Sequence, residues 1–269
     1  MITEWLSYDF ARRALVAGVL VALMCAVLAF FVVLRRMTFV GAGISHAALG
    51  GVAIGLVTGL SPLVTAMVFS IGVAWAIGWL SERGRIAEET AIGVLFPTAM
   101  AFGIAVISLT GTYRQDLMAY LFGSMLAVSR ADLGLLVAVA AGTLGVLALF
   151  FKEFVYLSID EDAARASKVP VRALRYLLLT VLAATIVASI KLVGVVLVSA
   201  LLVIPAATGQ LVARSMAGVL GISVLSALVA VVVGLWLSWL SNLPSGATIV
   251  LLASGLFTVA FVARRGWRS

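Results

Sequence analysis

The sequence predicts an all-α polytopic membrane protein of about nine transmembrane helices, forming one domain over 1–269, and three observations carry that prediction. Of the 269 residues, 64% are hydrophobic and only 11% charged, against roughly 45–50% and 25% in an average soluble domain. Apolar stretches near the length of about 20 residues that crosses a bilayer's hydrocarbon core follow one another along the chain. The connections between them are too short to hold another domain.

Charges, Gly/Pro clusters and turn residues divide the chain into apolar segments at 11–34, 46–60, 62–80, 91–109, 133–151, 173–190, 192–208, 216–240 and 247–263. The second is short and glycine-rich; at about 1.5 Å per residue it spans only part of the bilayer unless the loop before it also enters. Residues 1–13 contain Glu4 and Asp9 and lack the layout of a cleavable signal, so the first helix is expected to target the chain and stay. Cys25 is the sole cysteine, which excludes an intrachain disulfide, and among Leu23, Met24 and Val27 it reads as a packing residue.

The net charge of +7 would suggest a nucleic-acid partner in a soluble protein. Here the basic residues sit at segment ends and read as topology signals in a lipid bilayer. One side of the layout receives Arg35, Arg36, Arg83, Arg85, Lys152, Arg165, Lys168, Arg172, Arg175, Arg214, Arg264, Arg265 and Arg268, which is 13; the other receives Arg12, Arg13, Arg114, Arg130 and Lys191, which is 5. The positive-inside rule makes the first side cytoplasmic, with the N-terminus outside and the C-terminus inside.

Two connections are long enough for structure of their own. In the cytoplasmic one, 152–172, Ser158 and Glu161 have the spacing of a capping box. Asp160, Glu161 and Asp162 fall in a first helical turn and Arg165 and Lys168 toward its end, as the helix dipole favours, before Pro170 stops the helix. This short charged helix reads either as a solvated connector or as a docking surface for a cytoplasmic partner. The outer connection, 110–132, mixes Tyr113, Arg114, Asp116, Tyr120 and Phe122 in the manner of an interfacial belt; Asp116 is either a vestibule contact for a cation or a partner of Arg114 or solvent.

Few residues can carry chemistry. His46, the only histidine, lies in the small-residue run 41–51 and reads as a hydrogen-bonded structural group or as a substrate contact. One Cys and one His cannot build a structural zinc site, so any metal contact is sparse or shared with a second copy. The three lysines follow Phe151, Ser167 and Ile190, so none belongs to a phosphate-binding G-x-x-x-x-G-K-[ST] loop, and ATP hydrolysis would fall to another subunit. Hydrolase and zincin signatures are equally absent. Pro205 near the end of the seventh segment frees the Leu201 carbonyl and predicts a kink or broken helix, with Ser199 and Thr208 able to re-satisfy the backbone or line a path.

Three separated motifs resemble one family: Arg35-Arg36-Met37 with Gly41 and then Ile44-Ser45-His46-Ala47; Asp116-Leu117-Met118-Ala119-Tyr120-Leu121-Phe122-Gly123; and the run 193–208 ending in Ile204-Pro205-Ala206-Ala207-Thr208. From about Arg35 onward the chain resembles the permease subunit of bacterial zinc- and manganese-type ABC importers. The resemblance implies the vitamin B12/siderophore-type (type II) permease fold in the cytoplasmic membrane, a homodimer, a cytoplasmic ABC ATPase dimer, an extracytoplasmic metal-binding protein, and a divalent metal (zinc, manganese or iron) as cargo moved by alternating access. It makes 158–170 a coupling helix whose Ser158, Asp160, Glu161, Asp162, Arg165 and Lys168 meet the ATPase. It makes His46 a metal contact and places Ser45, Asp116, Ser199 and Pro205 on the pathway. Two departures stand out. Ser167-Lys168-Val169 replaces a usual Leu-Gly-Val, and Ala42 stands where the family pattern has an Asp one turn before the His. Either a sister copy and Asp116 supply the missing oxygens, or the fold carries a different small solute. A secondary transporter is the remaining alternative, but such carriers usually place several ionisable groups near mid-membrane.

Overall fold

The computed structural model describes residues 7–108 and 129–266. Its helices are α1 (Asp9–Leu34), α2 (Val40–Thr58), α3 (Pro62–Gly84), α4 (Glu88–Ser108), α5 (Arg130–Leu149), α6 (Phe151–Ile159), α7 (Glu161–Ala166), α8 (Val171–Val193), α9 (Val195–Leu201), α10 (Ile204–Val212), α11 (Met216–Ser241) and α12 (Ser245–Gly266). Among the described residues, nine stretches are long and apolar enough to cross a membrane, with 195–212 counted as one. Asp116 and the rest of the outer connection's motif lie outside the described residues.

α1, α2 and α8 form the centre, mostly buried, and α3, α4, α5, α11 and α12 present most of their surface outward. α2 packs against α3, α4, α8 and α9, and α1 against α5 and α11. The second span is longer than its apolar segment because residues 41–45 are helical and buried, apart from half-buried Ala42. Apolar contrast cannot distinguish the faces of a buried helix, so small residues decide its packing instead. A Cβ on Gly51 would lie 2.5 Å from the Ala66 Cα of α3, and one on Gly103 of α4 would lie 2.8 Å from the Gly50 Cα. Polar links are sparse: Thr143 and Thr185 share a buried hydrogen bond of 2.9 Å between α5 and α8, and the Trp75 indole N–H of α3 donates to the Thr180 hydroxyl of α8 at 2.8 Å.

The seventh span is interrupted twice. Gly194 adopts φ 81, ψ 162, a conformation essentially confined to glycine, so α8 ends two residues beyond Lys191, at Val193. The expected proline break is present: α9 stops at Leu201 and Pro205 lies in the first turn of α10, where its missing N–H costs no helical bond. The turn between them is closed by Val203 N–H donating to the Ala200 carbonyl at 3.1 Å.

The close approaches set a stability test. Gly51→Ala is expected to lower stability by about 1–3 kcal/mol through overpacking against α3. Gly72→Ala, where a Cβ meets nothing within 4 Å, is expected to be neutral or to stabilise by up to about 1 kcal/mol. Thermal unfolding of the two variants in detergent checks the contrast.

Candidate functional site: an accessible histidine and an ion-clamped connector

α2 leaves one narrow line open. From Val40 to Ala53 every residue is buried except Ala42 and His46, four residues apart on one face, with exposed Phe39 preceding them. Gly41 and Gly43 hold this line in place by letting neighbours in: a Cβ on Gly41 would meet the Leu202 side chain at the α9–α10 break, and one on Gly43 the Ile92 side chain of α4. The His46 ring lies 5.1 Å from the Phe96 ring of α4, tilted by 42°. Its Nδ1 is buried and has no hydrogen-bond partner among the described residues. The half-buried ring therefore has an unpaired nitrogen on its inner side, with its lone pair or proton uncommitted.

The other pathway candidates differ in exposure. Ser45 is fully buried. Ser199 is half-buried and Thr208 buried, and their hydroxyls donate to the Val195 and Ile204 carbonyls at 2.9 and 2.8 Å. Pro205 is buried at the start of α10. Among the described residues, no group of three or more His, Cys, Asp and Glu is placed to hold a metal ion.

The charged connector is built separately, around the end of α1 and the starts of α4 and α8. Its cap is Asp160, not Ser158: the Asp160 carboxylate accepts from the Asp162 and Ala163 amides at 3.0 and 2.9 Å, whereas the Ser158 hydroxyl donates back to the Phe154 carbonyl at 2.6 Å because α6 is still helical there. The capping-box spacing therefore misplaces the start of α7 by two residues. Asp162 lies in its first turn. Glu161 turns inward rather than reaching back to a cap. It pairs with Arg165 at 2.7 Å, closely with Arg175 of α8, and with Arg35 at 3.8 Å. Glu88, the first residue of α4, lies 3.5 Å from Arg35 and 3.7 Å from Arg175. The Arg35 and Arg175 side chains are only 8% and 12% exposed. Burial pushes the Arg35 guanidinium below its ordinary value; Glu88 opposes that, Arg175 adds to it, and Glu161 opposes it. Deleting one partner of such a buried pair costs about 3–5 kcal/mol, because the other charge is left bare. The sequence counted Arg35 with Arg36 as topology signals. Only Arg36 is exposed, and nothing local marks Arg35 as a buried ion.

Two tight turns hold these groups. After α1, Arg36 N–H donates to the Val33 carbonyl and Met37 N–H to that of Val32; after α7, Lys168 N–H donates to the Arg165 carbonyl and Val169 N–H to that of Ala164. Both are Schellman motifs. Both put a non-glycine residue in the left-handed region, Arg36 at φ 59 and Lys168 at φ 61. At Lys168 the backbone thus takes a conformation that favours glycine, with a lysine in it. Beside the connector an open cavity of about 710 Å³ is lined by Glu82, Glu161, Arg165, Arg172, Arg175 and Tyr176.

The profile of the ABC 3 transport family matches residues 7–264. The chain belongs to that family. It is 37% identical to the manganese transport system membrane protein MntC of Halalkalibacterium halodurans, over 98% of this chain and 93% of that one. It is 36% identical to the chelated iron transport system membrane protein YfeD of Yersinia pestis, over 97% and 88%. Among solved structures, PsaBC from Streptococcus pneumoniae in complex with Fab superposes with a TM-score of 0.85 at 33% identity, covering 97% of this chain and 95% of that one.

Replacing Lys168 by Gly is expected to relieve the left-handed strain and stabilise the protein by about 1 kcal/mol, whereas Asp160→Ala is expected to cost about 1 kcal/mol through the lost cap. Thermal unfolding midpoints of the two variants should move in opposite directions.

Proposed function

We propose that this chain is the transmembrane permease subunit of an ATP-driven importer of a divalent metal ion in the bacterial cytoplasmic membrane. It would work as a homodimer with a pair of cytoplasmic ABC ATPases and an extracytoplasmic metal-binding protein. The observation that carries the reading is His46, half-buried on the one line left open over 40–53 of a central helix, with its inner ring nitrogen unpaired among the described residues. Membership of the ABC 3 transport family supports the transport role, and the manganese and chelated-iron names of two relatives support metal as cargo.

In this reading the chain is not an enzyme. Hydrolysis of ATP belongs to the ATPases, which dock on α7 through Asp160, Asp162, Arg165 and Lys168 around the open cavity. The N-terminus faces outward and the C-terminus the cytoplasm. The two copies open alternately to either side around the dimer axis, and the ion passes His46 weakly bound, as conduction requires. A second reading keeps the fold and exchanges the cargo for another small solute; Ala42 favours it, because the turn before His46 offers a methyl group and no oxygen ligand.

Uptake of zinc, manganese and iron into proteoliposomes holding the permease, ATPase and binding protein distinguishes these readings. Selective ATP-dependent uptake of one metal, reduced about tenfold or more by His46→Ala, is expected, with Ala42→Asp tightening metal retention. ATP turnover coupled to the permease without transport of any metal would overturn the metal cargo and leave the transport fold.

A further inference from the structure

α7 has six residues, well below the roughly 12–15 at which an isolated helix becomes stable in water, so its position is imposed by what it touches. Two residues on its inner side do this: Ala164, fully buried, and Glu161. Through Arg175 and Arg35, Glu161 reaches α8 and the end of α1, and both arginines also reach Glu88 at the start of α4. Two arginines and two carboxylates from four places in the chain thus close into one cluster, with exposed Arg165 at its rim. We propose, resting on the permease reading, that Arg35, Glu88, Arg175 and Glu161 are the joint that passes movement of α7 to the His46 pathway, with Glu88 as its output.

Three features support the assignment. Each arginine lies between both carboxylates, Arg35 at 3.5 Å from Glu88 and 3.8 Å from Glu161. A shift of α7 can therefore move each guanidinium from one carboxylate toward the other without baring a buried charge. Rupture is expensive and sliding is cheap. α4 begins at Glu88 and carries Ile92 against the Gly43 position and Phe96 against the His46 ring. Displacement of its first residue along a continuous helix therefore reaches the accessible line directly. Neither Glu88 nor Arg35 lies on the connector, so their role in the joint is separable from docking an ATPase.

Continuity in space is not coupling, so the deciding quantity is stoichiometry. In proteoliposomes with ATPase and binding protein, we would measure metal ions taken up per ATP hydrolysed, together with ATPase co-purification, for wild type, Glu88→Gln and Glu88→Asp. Glu88→Gln should retain the ATPase and its turnover in the absence of binding protein, while ions per ATP fall by about tenfold; Glu88→Asp, which keeps the charge, should recover part of the ratio. An unchanged ratio in Glu88→Gln overturns the joint. If Glu88→Gln is not recovered from the membrane, Glu88→Asp alone decides: a wild-type ratio overturns the joint and a reduced one supports it. A wild type that hydrolyses ATP but takes up no metal sinks the cargo reading separately. The joint is then scored by stimulation of ATP turnover by the binding protein, which Glu88→Gln should abolish. A wild type that engages no ATPase overturns both.

Discussion

A backbone amide or carbonyl inside hydrocarbon has no water to turn to, so each must find its partner within the protein. Most of this chain meets that requirement by staying helical from one interface to the other, and the apolar lengths follow from it. The exceptions follow too. The chain leaves the helix at Gly194 and again at Leu202–Val203, and it does so in the interior, where the Gly194 N–H donates to the Ile190 carbonyl and that of Leu202 to Val198. Among the described residues, these two interruptions within an apolar segment lie where other helices cover them. That same covered place is where α2 brings Gly41 against Leu202 and leaves the Ala42–His46 line open.

Much of the fold was legible because the bilayer imposes one dominant pattern. Spans, their number, the Pro205 break and the special position of His46 are all local in the sequence. The span limits moved where locality failed. α2 starts six residues before its apolar segment because small residues look like loop when read singly and like helix when packed. The capping box at Ser158 was a correct spacing at the wrong place, since α6 runs on to Ile159 and a second acid, Asp160, caps more directly.

The ionic half of the site was illegible for a different reason. Charge counting treats each Arg as a statement about its own side of the membrane, which is incomplete for Arg35 and Arg175, whose side chains are buried in ion pairs. Their partners, Glu88 and Glu161, sit on other elements, and no periodicity links them. Family resemblance suggested a docking role for the connector but gave no sign of this clamp. The Lys168 departure, by contrast, resolves on backbone geometry: its turn requires a left-handed residue whatever the side chain.

The clamp's chain order bears on how the protein is made. Arg35 leaves the ribosome first and waits at the interface until Glu88 arrives with α4. Glu161 then arrives with a partner of its own, Arg165, four residues on, and meets Arg175 only when α8 enters. Once α4 is made, neither carboxylate of the clamp waits without a cation nearby in the chain. The half-made bundle therefore carries a matched corner while α8 is still to come, and α8 joins it by exchange of partners.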